Sequence, residues 1–122
     1  MLTFEETQSY IDELCAALPP EIFKDLNCGV SVIPDTTHDH NGLLTLGMYH
    51  FEPRGLGRYV TIHYGSIVAA YGYRPAEVFK EKLKEVLHHE LTHHLEGMAG
   101  DRSLEREDAI NVARLLRRYR PQ

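Results

Sequence analysis

Hydrophobic positions along the chain follow two rhythms: a spacing of three and four residues towards both ends, and a shorter alternation between them. Near the start, Phe4, Tyr10, Ile11, Leu14 and Leu18 line one helical face. Thr3 followed by Glu6 opens that helix as a capping box, and Pro19-Pro20 closes it. Glu21 to Leu26 reads as a further short helical turn. Small and β-branched residues from Cys28 to Ile33 predict a first strand, ended by Pro34. A polar, turn-rich loop from Asp35 to Gly42 leads to a second strand, Leu43 to Tyr49. The connection Glu52 to Gly57 then reaches a third strand, Arg58 to Tyr64, of strong β-propensity. Tyr64-Gly65 reads as a strand exit, and Ser66 to Tyr73 as a short helix.

Pro75 suits an early helical position, and the helix it starts is predicted to run to about Met98. Val78, Phe79, Leu83, Val86, Leu87, Leu91 and Leu95 give it a core stripe, and Gly97 and Gly100 offer stops. A last helix is predicted from about Ser103 to Tyr119, carrying Leu104, Ile110, Val112, Ala113 and Leu116. The pattern predicts an α+β fold: one domain over residues 1–122, with a small, mostly antiparallel sheet packed with helices.

Composition narrows the function more than the fold. A chain of 122 residues, 43% hydrophobic and 25% charged, supports one modest core and argues against disorder. The net charge of −5 removes an electrostatic basis for nucleic acid binding. Arg114, Arg117, Arg118 and Arg120 suit a solvated helix end favoured by the helix dipole. No run approaches the roughly 20 apolar residues of a membrane span. The acidic start, Met1 to Thr7, lacks the basic and then apolar pattern of a signal peptide. Cys15 and Cys28 are then expected as reduced thiols, and the protein as cytoplasmic, with neither a membrane nor a nucleic acid partner.

The compositional oddity is histidine: four of the eight lie in residues 88–94. His89-Glu90-Leu91-Thr92-His93 is an HExxH pattern inside the long predicted helix. Residues four apart share a helix face, so His89 and His93 can direct two imidazole nitrogens at one ion, with Glu90 beside it as a base. The apolar flanks Val86, Leu87, Leu91 and Leu95 keep water scarce there. The alternative is an amphipathic helix whose rings are satisfied by solvent. His88 lies at another angle and is expected to be peripheral. His94 falls beside Leu87 and Leu91 and is read as a structural, hydrogen-bonded ring.

A catalytic zinc site takes three protein ligands and leaves one position to water. Glu96 continues the histidine face but lies too far along a straight helix. Asp101 follows the glycines, where the chain can turn back. Glu105 and Asp108 line up with Val112 and Leu116 on the last helix, where a carboxylate needs a partner. Helix capping accounts for Glu105 and Asp108 without a metal. Asp108 ranks first as third ligand, ahead of Asp101 and Glu105. His38-Asp39-His40 is an accessory metal candidate whose competing role is a solvated turn.

These residues together resemble the small single-domain zincin-like metallopeptidases of bacteria, the minimal zincins. The similar segments are Leu46-Gly47-Met48-Tyr49, Gly57 to Ser66, and Val86 to Leu95, in the family's order over roughly the last two-thirds of the chain. The resemblance implies a zincin-like fold, one zinc ion on His89 and His93, and Glu90 as general base. The family carries a glycine three residues after the second histidine and an aspartate ligand three later, where this chain has Glu96 and Ala99. An insertion from Glu96 to about Glu107 would restore the aspartate at Asp108. Met98 invites comparison with a methionine turn but is read as core.

The chemistry expected of such a site is hydrolysis of a peptide or protein substrate by a metal-activated water, with Glu90 taking its proton. His63, Tyr64, Tyr49 and Tyr59 are candidate donors to the developing oxyanion, their competing role being strand packing. The reading from a different class is a non-catalytic metal-binding or protein-interaction domain on the same scaffold.

Overall fold

The computed structural model describes residues 1–100. The helix expected over about Ser103 to Tyr119, the arginine cluster, and Asp101, Glu105 and Asp108 lie outside the described residues.

Helix α1 spans Phe4–Ala17. Its first turn is held as the sequence predicts: Glu6 N–H donates to Thr3 Oγ1 at 3.1 Å, and Thr3 N–H donates to Glu6 Oε1 at 2.9 Å. These bonds hold the Glu6 carboxyl below the usual carboxylate range. A 3-10 turn at Pro20–Phe23 then drops Ile22 into the core.

Five strands follow: β1 (Val30–Ile33), β2 (Thr37–His38), β3 (Leu44–Thr45), β4 (Gly47–Glu52) and β5 (Gly57–His63). The predicted second strand is thus two, broken at Leu46, and β2 and β3 form a separate antiparallel ribbon. In the main sheet the order is β1-β5-β4, and the mostly antiparallel expectation needs correcting to a mixed sheet. β4 and β5 are an antiparallel hairpin, whereas β1 runs parallel to β5 from Val30↔Val60 to Ile33↔His63. Strand propensity carries no direction, and β1 pairs with a strand that follows it only after the ribbon and β4. Gly57 starts β5 at φ +75°, where the Asn27 side chain fills the space a Cβ would need and accepts from Arg58 N–H at 3.2 Å.

Alternation along β5 sends Arg58, Val60 and Ile62 to one face. Helix α2 (Tyr64–Tyr71) follows directly, so Tyr64-Gly65 opens a helix rather than merely ending a strand. Helix α3 (Ala76–Gly100) crosses the Val60–Ile62 face and supplies Phe79, Leu83, Leu87, Leu91 and Leu95, all buried. These are the predicted stripe; its other two members, Val78 and Val86, are half-buried. Removing a leucine such as Leu87 from this layer would cost about 2–5 kcal/mol. Gly97 is not a helix stop, because α3 continues through it to Gly100. Among the described residues, no helix is long and apolar enough to cross a membrane.

Candidate metal centre

The motif lies mid-helix on α3, with its residues sorted by face. His89 and His93 are exposed, and Glu90 between them is turned inward. The two Nε2 atoms are 3.0 Å apart, with the rings edge to face. Two nitrogens at that separation, each about 2.05 Å from a common ion, would subtend about 94° there, against about 109° for a tetrahedron. Opening the pair by about 0.3 Å gives the ideal angle, a shift within ordinary ring rotation. The donor set therefore fits two ligands of one zinc ion. Among the described residues no group of three or more His, Cys, Asp and Glu is arranged to hold a metal.

Glu90 is only 7% exposed. Burial pushes its carboxyl above the usual range, while His89, His93 and the facing Tyr49 backbone N–H pull the other way. The net rise brings the carboxylate closer to the acidity of a general base working near neutrality. Beside it lies a cleft of about 570 Å³ lined by Leu44 to Gly47 on one side and Glu85, Val86, His89 and Glu90 on the other. Its wall approaches the helix closely at Gly47, where a Cβ would fall 2.6 Å from Val86 Cγ1.

Among the described residues, strand β4 is the edge of the sheet on this side. His63 N–H donates to the Leu46 carbonyl at 2.9 Å, which fixes the hydrogen-bonding phase of the hairpin. In that phase Met48, His50 and Glu52 bond to β5, and the N–H and C=O groups of Gly47, Tyr49 and Phe51 point outward.

The remaining histidines separate differently from expectation. His88 is not peripheral but 1% exposed, packed into the core side of α3. His94 is the structural ring expected of it and is fully buried. Its Nε2 lies 2.8 Å from the Lys24 carbonyl, which can only accept, so this nitrogen carries the proton. Nδ1 is then the acceptor, taking a hydrogen bond from Tyr49 Oη at 3.0 Å, and Arg58 Nη1 donates to the same Oη at 2.8 Å. Burial first, then the Arg58 charge, depresses the His94 pKa, although its bond to Lys24 and the Asp25 carboxylate act against this.

Candidate oxyanion donors are otherwise employed. Tyr49 Oη is committed to His94, and Tyr64 Oη donates to the Leu2 carbonyl at 2.7 Å. By strand alternation Tyr59 and His63 face away from α3, on the opposite side of the sheet from Glu90. There, Tyr59 Oη donates to Glu52, and His63 Nε2 shares the Thr61 hydroxyl with His50 Nε2, at 2.8 and 2.9 Å. In the His38-Asp39-His40 loop, Asp39 Oδ1 accepts from the N–H groups of Asn41 and Leu43 at 2.8 and 3.0 Å, which is turn chemistry. Cys15 and Cys28 are free thiols, and burial pushes Cys15 up to about 11. Met98 is buried, as read.

No protein-family model matches the chain. No curated protein matches it either. A solved structure, a conserved hypothetical protein from Thermus thermophilus, is similar over 91% of this chain and 97% of that one, with a TM-score of 0.67 and 28% identity. That description assigns no activity, so the likeness supports the α+β fold and leaves function to the site.

Proposed function

We propose that the protein is a zinc-dependent metallopeptidase on a zincin-like scaffold, acting on a peptide or protein substrate. The observation that carries this reading is the convergence of His89 and His93 Nε2 at 3.0 Å beside a buried Glu90 at the wall of a cleft. His89 and His93 would hold the ion, with a third ligand such as Asp108. A zinc ion there supplies Lewis acidity and an activated water. Glu90, desolvated and raised in pKa, takes a proton from the attacking water and returns it to the leaving amine. The outward N–H and C=O groups of Gly47 and Phe51, with the Tyr49 C=O, suit an extended substrate paired along the edge of β4, the Tyr49 N–H being turned to Glu90. Leu44, Leu46 and Val86 give the cleft apolar walls.

Two measurements test this. Zinc titrated calorimetrically should bind one per chain, and His89→Ala should abolish the binding. Glu90→Gln should keep zinc yet lose peptide cleavage by orders of magnitude. A zinc-loaded parent that cleaves nothing in a broad peptide library would leave only the non-catalytic metal-binding reading.

A further inference from the structure

The polar chain through Tyr49 does something the metal site alone does not require. Tyr49 sits on edge strand β4 with its ring towards α3, and its hydroxyl contacts His94, four residues beyond Glu90 on that helix. Two residues earlier on the same strand face, Gly47 lies so close to α3 that a Cβ there would be 3.3 Å from Glu90 Cγ. The strand is therefore seated on the helix at two points, one turn of helix apart: the bare backbone of Gly47 over Glu90, and the Tyr49 hydroxyl on His94.

Each hydrogen bond in this chain has a fixed direction. Arg58 Nη1 donates to Tyr49 Oη, Tyr49 donates to His94 Nδ1, and His94 Nε2–H donates to Lys24 O. A tyrosine free to rotate would hold the strand loosely, whereas this one has its hydroxyl fixed from both sides. Gly97 makes room for the arrangement, since a Cβ there would stand 3.2 Å from Arg58 Nη1 and 3.8 Å from Tyr49 Oη.

We infer that Tyr49 is a positioning residue: its hydroxyl, clasped by Arg58 and His94, holds edge strand β4 at the height that sets its outward backbone alongside Glu90. The Tyr49 backbone N–H facing the Glu90 carboxylate is the near end of this coupling. The consequence for catalysis rests on the hydrolase reading, while the seating of the strand does not.

The test is Tyr49→Phe, which keeps the ring and removes only the hydroxyl. Zinc affinity should stay within about twofold, since neither His89 nor His93 touches the clasp. Cleavage should fall in kcat by about 10- to 100-fold, the usual effect of misplacing a group by a fraction of an ångström to one ångström. The amide of residue 49, followed by NMR, should shift and exchange faster as the strand lifts. Thr3→Ala serves as a control, because it removes a helix cap and leaves the clasp intact. A comparable fall in kcat in that variant at equal residual stability would reduce Tyr49 to a stabilising residue and overturn the inference. So would a Tyr49→Phe protein with parental kcat and an unmoved residue 49 amide. If the zinc-loaded parent cleaves nothing, the hydrolase reading fails by itself, and the amide measurement alone decides the seating.

Discussion

Replacing Gly47 with alanine tests how tightly the edge strand is seated on the motif helix. An ideal Cβ at this position falls 2.6 Å from Val86 Cγ1, 3.3 Å from Glu90 Cγ and 3.3 Å from the Thr61 carbonyl oxygen. Carbon atoms in contact prefer about 3.5–4.0 Å, so the first distance is short by about 1 Å. Val86 has little freedom to turn its methyl aside, because a β-branched residue in a helix holds one strongly preferred rotamer. The strand must then lift from α3. Overpacking of this kind costs about 1–3 kcal/mol, and replacing a strand glycine offsets about 0.5–1 kcal/mol of that. The net loss expected is about 0.5–2 kcal/mol. At about 2.1 cal/mol/K of unfolding entropy per residue, that is a fall in Tm of about 2–8 °C. Val86→Ala removes Cγ1, so the double variant Gly47→Ala/Val86→Ala should recover most of the loss attributable to the clash. Thermal and urea unfolding of the four proteins give the coupling energy directly, expected at about 1–2 kcal/mol. A Gly47→Ala protein with the parental Tm, or strictly additive single effects, would refute the close seating on which the cleft geometry depends.

Three further substitutions probe separate parts of the structure. Thr3→Ala removes the capping box of α1 and should cost about 1 kcal/mol, read as a drop of about 4 °C in Tm; an unchanged Tm would mean that the cap does not contribute. His94→Phe leaves the Tyr49 hydroxyl and the Lys24 carbonyl without their shared ring and should cost about 1–3 kcal/mol, measured by urea unfolding. A neutral result there would show that the chain is not stabilising. His63→Gln addresses pH. Burial first, then the nearby His50, lowers the His63 pKa from 6.5, so the unfolded chain takes up a proton that the fold resists. Stability is therefore lost as pH falls from 6.5 towards the lowered folded value, and His63→Gln should flatten the Tm profile on the acid side of 6.5. A variant profile parallel to the parent would assign the acid loss to other groups.

What the sequence made legible is what local chemistry decides. The cap at Thr3 and Glu6, the proline stop and the apolar stripe of α3 each depend on residues within a few positions of one another, and each is found. The placement of His89 and His93 on one exposed face with Glu90 turned inward is likewise a property of helical spacing alone. The direction of β1 was not legible, because pairing Val30 with Val60 requires knowing how the intervening ribbon and hairpin fold. His88 misled for a related reason: angle around the helix axis separates it from His89, but which side meets the sheet is set by packing. It lies on the buried side.

The polar chain shows where the remaining information lies. Tyr49, Arg58 and His94 are separated by nine and 45 residues in pairs, and no periodicity links them. One signal was present in the sequence and carried a different meaning. Gly97 resembles a helix stop, yet a glycine inside a continuing helix marks close approach by another element, here Arg58 and the Tyr49 ring. Gly47 carries the same mark on the strand side, interrupting an otherwise well-filled segment where β4 meets Val86 and Glu90. Both glycines therefore belong to one contact: the edge strand pressed against the motif helix. That contact ties the height of the strand to Glu90, as expected if the strand, and not the helix alone, presents a substrate.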